Sequence, residues 1–312
     1  AGMAAELAEV DALLSITEPP TEENLLLALE RTGDLLGRVS AVFWNVVSSD
    51  SNPDLDAIEE EVAPRLAAHH DAIYLDRRLF ARAEALAARV ASGEGTLADD
   101  PAHALDELRR DLARAGAGLS PADQERVKEI NARLSSLEAA FSRELLADSN
   151  ESAVLVPAPA ELAGLSDGEV AAARQAAADR GHEHGWLLEL SLFSAQPQLA
   201  SLTHRDVRRR LYEASLARGG RGGDHDTRAI LLELARLRAE RARLLGYEHH
   251  AAYVAADGTA KTTAAVHAML GPLGPAAARN ARAEALDLEV ALRRDIPDAS
   301  LEGWDWQLYA ER

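Results

Sequence analysis

Residues 121–146 read PADQERVKEINARLSSLEAAFSRELL, and this stretch decides the fold class. Val127, Ile130, Leu134, Leu137, Phe141 and Leu145 recur at steps of three and four. That spacing stacks side chains on one face of an α-helix. Ser120 offers an N-cap, and Pro121 fits the first helical position, where its missing amide would have had no partner. The apolar stripe is read as core packing.

Helical patterning continues outward on both sides. Residues 1–15 read as an acidic amphipathic helix, broken at Glu18-Pro19-Pro20. Thr21 is a further N-cap, followed by an apolar stripe from Leu25 to Leu36. After the turn cluster Ser49-Asp50-Ser51-Asn52-Pro53, a helix from about Leu55 to His69 opens with Asp56, Glu59, Glu60 and Glu61, which complement its dipole. Pro64 is expected to kink or split this helix, because proline removes a hydrogen bond and crowds the preceding turn.

The stretch from 151 to 204 differs. Val154-Leu155-Val156 and Trp186 to Leu192 are short apolar runs flanked by Pro and Gly, and they read as strands that could pair. Ser166 to Arg180 reads as a helix between them. Gly219-Gly220-Arg221-Gly222-Gly223 reads as a flexible loop; without the Lys-Ser/Thr ending of a phosphate cradle it carries no nucleotide prediction. A helix from Thr227 to Leu245 stops at Gly246, and another from Thr262 to about Arg294 is expected to be interrupted between Gly271 and Pro275. The fold class is therefore mostly α with a small β-sheet near residues 153–192. It divides into a helical region, 1–150, and a helical region with the sheet, 151–312.

Composition agrees. Hydrophobic residues make up 47% but aromatics only 4%, so the core is built from Ala, Leu and Val. Asp plus Glu total 52 against 33 Lys plus Arg, a net charge of -19 that disfavours nucleic acid and anionic membrane as partners. There is no Cys, which excludes disulfides and thiolate metal sites and fits a cytoplasmic location. No apolar run approaches the roughly 20 residues that span a bilayer, and the first residues lack the basic start and apolar centre of a signal peptide.

The chain has 10 His, which prompts a search for His-Glu-x-x-His, the helical spacing that aims two imidazoles at one zinc and leaves Glu to activate water. The nearest match, His182-Glu183-His184-Gly185-Trp186, has Trp where the second His belongs. It falls at an expected strand start, with His182 and His184 on one side and Glu183 on the other. His69-His70 and His249-His250 are adjacent pairs that split across their helices, and packing or solvent contact is the expected role of both. No Gly-x-Ser-x-Gly elbow occurs. No catalytic and no metal-ligating residue is assigned.

A series of segments nevertheless resembles one family. Pro20-Thr21-Glu22-Glu23-Asn24, Phe43-Trp44-Asn45, Ser49 to Pro53 and Ile130-Asn131 through Phe141-Ser142 occur in that family's order. Gly181-His182-Glu183 with the Trp186 strand follows. The most specific stretch runs from Arg205 to Lys261, with Arg208-Arg209-Arg210-Leu211-Tyr212, Leu244-Leu245-Gly246-Tyr247 and Thr259-Ala260-Lys261-Thr262. Trp304-Asp305-Trp306 with Tyr309-Ala310-Glu311 completes it. The chain resembles the thimet oligopeptidase, oligopeptidase A and peptidyl-dipeptidase family of zinc metallopeptidases over nearly its whole length.

The resemblance implies a helical amino-terminal lobe of a two-lobed channel peptidase acting on short peptides. It implies that the zinc motif lies carboxy-terminal to Trp304-Asp305-Trp306, so that zinc belongs to the complete enzyme and none is bound by this chain alone. The partner would be a carboxy-terminal catalytic half, in the same chain or a separate subunit, and Trp304 and Trp306 are the expected contact residues. The alternative is a non-catalytic peptide-binding or regulatory protein on the same scaffold.

Overall fold

The stripe read from 121–146 belongs to one continuous helix that runs further than expected, from Pro121 to Glu151. It is the centrepiece of a computed structural model that describes residues 1–192 and 196–312. In chain order the helices are α1 (Gly2–Leu14), α2 (Ala28–Glu30, continuing a π-helical turn Glu22–Leu27), α3 (Asp34–Ser49), α4 (Pro53–Tyr74), α5 (Arg77–Ser92), α6 (Asp99–Ala115) and α7 (Pro121–Glu151). Then follow strand β1 (Val154–Val156), α8 (Asp167–Asp179), β2 (Trp186–Leu188), α9 (Arg205–Leu216), α10 (Arg228–Leu244), α11 (His250–Asp257), α12 (Thr263–Asp295) and α13 (Trp306–Ala310). The fold is mostly α, with β1 and β2 paired antiparallel, Val154 opposite Leu188 and Val156 opposite Trp186. No helix among the described residues is long and apolar enough to cross a membrane.

The local signals explain most of these boundaries. Thr21 caps the Glu22 turn reciprocally with Asn24: Thr21 Oγ1 accepts from the Asn24 N–H and Asn24 Oδ1 accepts from the Thr21 N–H. Ser166 and Glu169 form the same box at the start of α8. Asn52 caps α4, and Gly246, at φ 83°, ends α10 in the left-handed conformation that glycine adopts without strain.

Three expectations are corrected. The apolar stripe from Leu25 to Leu36 is not one helix: it breaks before Asp34, at Gly33 with φ 73°. Pro64 does not split its helix, because α4 runs unbroken from Pro53 to Tyr74. Its far end is anchored by burial and polar contacts: His69 Nε2 lies 2.8 Å from Glu6, and Asn131 Nδ2 donates to the buried Asp71 carboxylate at 2.8 Å. Nor does the helix after Thr262 stop at Gly271 to Pro275; α12 passes through Pro272 and Pro275 to Asp295. Against alanine, each proline costs an interior helix about 3 kcal/mol and each glycine about 1 kcal/mol.

The second expected strand is also shorter than its apolar run, ending at Leu188 rather than Leu192. Beyond it the fully buried Gln196 takes over the backbone groups. Its Oε1 accepts from the Ser191 and Leu192 amides, while its Nε2 donates to the Leu192 carbonyl and Ser215 Oγ. A side-chain amide satisfies the backbone there as a neighbouring strand would.

The residues cluster into two compact units: Ala1–Ala140 with Leu232–Val254, and Phe141–Leu231 with Ala255–Arg312. The first has a core of Val10, Leu25, Ile73, Leu79, Leu105 and Leu112. Within it, α7 and α10 are joined by three pairs, Arg126–Glu240, Arg133–Glu233 and Arg238–Glu138. All are partly exposed, so solvent screening leaves each a small contributor to stability. The second unit packs β1, β2, α8 and α9 around Val156, Leu188, Leu202, Val207 and Leu211.

Candidate functional site

Within the second unit, Arg205 and Arg208 lie one turn apart on α9 and both reach Asp305, just before α13. Asp305 has 0% exposure and Arg208 1%. Arg205 Nη2 and Arg208 Nη2 each donate to Asp305 at 2.7 Å, one to each carboxylate oxygen, and the Glu302 N–H donates to Oδ2 at 3.2 Å. Arg208 spends its other donors on backbone: Nε on the Trp304 carbonyl at 3.0 Å, and Nη1 on the Leu202 and Thr203 carbonyls. Arg205 Nη2 also reaches the Ser300 carbonyl at 2.8 Å. A buried ion pair survives only when its charges and remaining donors are satisfied in this way. Burial alone would raise the Asp305 pKa; the two guanidiniums and the Glu302 amide outweigh it and hold the carboxyl below its ordinary value.

The Trp304–Trp306 segment is thus fixed by its central aspartate. Both indoles are half-buried. Trp304 meets Tyr212 edge-on, ring centres 6.1 Å apart. Gly303 permits that approach, because a Cβ there would stand 2.3 Å from the Tyr212 hydroxyl oxygen. Downstream, Leu308 and Tyr309 pack on Leu292 and Ala299, and the Tyr309 hydroxyl donates to Asp295 at 3.1 Å.

The resemblance singled out Trp304 and Trp306 but gave Asp305, Arg205 and Arg208 no role, although they hold the segment in place. The available signal was two arginines one turn apart on a helix and one acidic residue between two tryptophans. Sequence separation hid their meeting.

Among the described residues, the pair His182 and His184 and the lone His225 stand in separate surroundings. His182, Glu183 and His184 are exposed in a bend before β2 and not in the strand, so the expected alternation of their side chains does not apply. Arg174 pins this bend by donating to the Glu183 and Gly185 carbonyls. His225 lies between two carboxylates of α7, with Nδ1 2.6 Å from Glu144 and Nε2 3.3 Å from Glu151. Both ring nitrogens are engaged, and the Glu144 hydrogen bond raises the imidazole pKa. A metal would need one of those nitrogens free, and no group of three or more His, Asp or Glu suited to a metal occurs among the described residues.

The glycine loop is likewise tied down by acid. The Gly219 N–H and Arg221 both donate to Asp148 of α7. A carboxylate facing the loop amides is the opposite of a phosphate cradle.

In sequence, this chain and its Trp-Asp-Trp segment are similar to known peptidases. Residues 198–312 match the model of peptidase family M3. Along its whole length the chain is similar to the dipeptidyl carboxypeptidase of Escherichia coli, 33% identical over 311 residues, which is 100% of this chain and 45% of that protein. It is 28% identical over 309 residues to oligopeptidase A of Salmonella typhimurium, 98% of this chain and 45% of that one. Probable cytosolic oligopeptidase A of Arabidopsis thaliana is 26% identical over 260 residues, 80% of this chain and 36% of the relative. The chain is similar to these peptidases along most or all of its length, and it spans less than half the length of each.

Proposed function

We propose that this chain forms the amino-terminal portion of a zinc-dependent oligopeptidase or dipeptidyl carboxypeptidase that hydrolyses short peptides in the cytoplasm. The observation that carries the reading is similarity from end to end to peptidases more than twice as long. On this reading the zinc ligands belong to a carboxy-terminal part, in the same polypeptide or a separate subunit. Residues 151–312 lead toward it, and Trp304 and Trp306 lie at the boundary. The lack of His-Glu-x-x-His in the sequence supports that division.

The test is reconstitution. Combining this chain with the polypeptide that completes it to the length of its relatives should give zinc-dependent cleavage of short peptides, and neither part alone should cleave. A stable, zinc-loaded complex that cleaves nothing contradicts the reading and favours a non-catalytic peptide-binding protein on the same scaffold.

A further inference from the structure

The first two-thirds of α12 has little holding it. No residue from Thr263 to Ala285 is buried. Met269, Leu270 and Leu273 are 62%, 50% and 55% exposed. With the half-buried Val266 they fall at i, i+3, i+4 and i+7, which is one face of a helix. Across this face runs Gly271-Pro272-Leu273-Gly274-Pro275, the sequence least able to hold a helix without tertiary support. The last third of the same helix is different: Leu288, Ala291 and Leu292 pack with Leu308 and Tyr309.

A weak helix that presents Met and Leu in a row calls for a covering surface, and Met suits one because its flexible thioether side chain fills irregular partners. A second copy of this chain is a poor occupant, since each copy carries a net charge of -19 and like charge opposes association. The face lies inside the segment matched by the M3 model, residues 198–312, in a chain that spans only 45% of its relatives. Most of the relatives' length therefore has no counterpart among the residues that could cover it here.

We infer that the Val266–Leu273 face of α12 is the docking surface for the remaining part of the M3 peptidase, a partner that presents an apolar, uncharged patch. The inference rests on the functional reading above, and the experiment separates the two. Affinity between this full chain and the polypeptide that completes it is measured by calorimetry, with wild-type chain and with the double variant Met269→Glu, Leu273→Glu. Both positions are exposed, so the variant should keep the circular dichroism and thermal midpoint of the wild type. The expected result is a 1:1 complex weakened at least about 100-fold by the variant, as for central residues of an interface. A complex of unchanged affinity overturns the docking surface and leaves the functional reading standing. A tight, variant-sensitive complex without zinc-dependent cleavage keeps the surface and overturns the functional reading. No complex at all overturns both. Self-association of the chain alone that the variant abolishes assigns the face to a second copy and overturns the inference.

Discussion

Two stretches of the second unit are some twenty residues apart and could hardly differ more in how they are held. The Trp304–Trp306 segment is locked by a buried carboxylate that two arginines of α9 grip, with nearly every donor of Arg208 spent. Residues 263–285 of α12 bury no side chain and contain two prolines and two glycines. Charge makes the first self-sufficient; the second carries Gly271 to Pro275 in its interior and buries no side chain. The lesson is that a chain can finish one part of its core internally while a neighbouring helix leaves an apolar face exposed.

The sharpest way to break this contrast is to unlock the first stretch. Arg208→Met leaves Asp305 buried with one partner fewer and orphans the Trp304, Leu202 and Thr203 carbonyls. Removing one member of a buried pair should cost about 3–5 kcal/mol by denaturant unfolding. A loss below about 1 kcal/mol, the range of a surface pair, would erase the distinction drawn here.

Next in size is Gly303→Ala. The new methyl would meet the Tyr212 ring, whose hydroxyl oxygen stands 2.3 Å from the Cβ position. Tyr212 must shift against Trp304, at a cost of about 1–3 kcal/mol. A neutral substitution would mean that the ring moves freely and that the segment is looser than its aspartate implies.

Two pH effects follow, with opposite signs. Asp305 has a depressed pKa, so its contribution is present above the unfolded value of about 3.9 and is lost as pH falls through the folded value. His225 has a raised pKa, so its contribution is complete below about 6.5 and is lost as pH rises through the folded value. Unfolding at a series of pH values should show both slopes. Asp305→Asn should make the acid one shallower, and His225→Gln should flatten the one above about pH 6.5. An unchanged acid slope in Asp305→Asn would show that other carboxylates carry it. The smallest effect is expected in α12, where Met269→Glu in the chain alone should change stability by no more than about 0.5 kcal/mol.

Much of this was legible before any coordinates. The period of Val127 to Leu145, the caps at Thr21 and Ser120, and the Gly246 stop are local signals, and the local structure fulfils them. The paired strands were legible as short apolar runs, but not where the second would end, because that depends on Gln196 folding back onto Ser191 and Leu192. Pro64 does not split α4, because helix propensity is a local quantity while α4 is held by His69 and Asp71, whose partners lie some sixty residues away in sequence. The Arg205–Arg208–Asp305 cluster was invisible for the same reason: about a hundred residues separate its charges. Resemblance pointed to the Trp304–Trp306 segment through its tryptophans, and only the fold brought out the aspartate between them.

The most direct measurement is amide hydrogen exchange on this chain alone, compared between residues 264–285 of α12 and residues 208–215 of α9. The amides of α9, whose side chains Val207, Arg208 and Leu211 are buried, should exchange only through large-scale unfolding of the unit. Those of 264–285 should exchange orders of magnitude faster, through local opening that needs no loss of the core. Equally slow exchange in both stretches would contradict the contrast, since α12 would then be stable without a partner and its exposed Met and Leu face would need no cover.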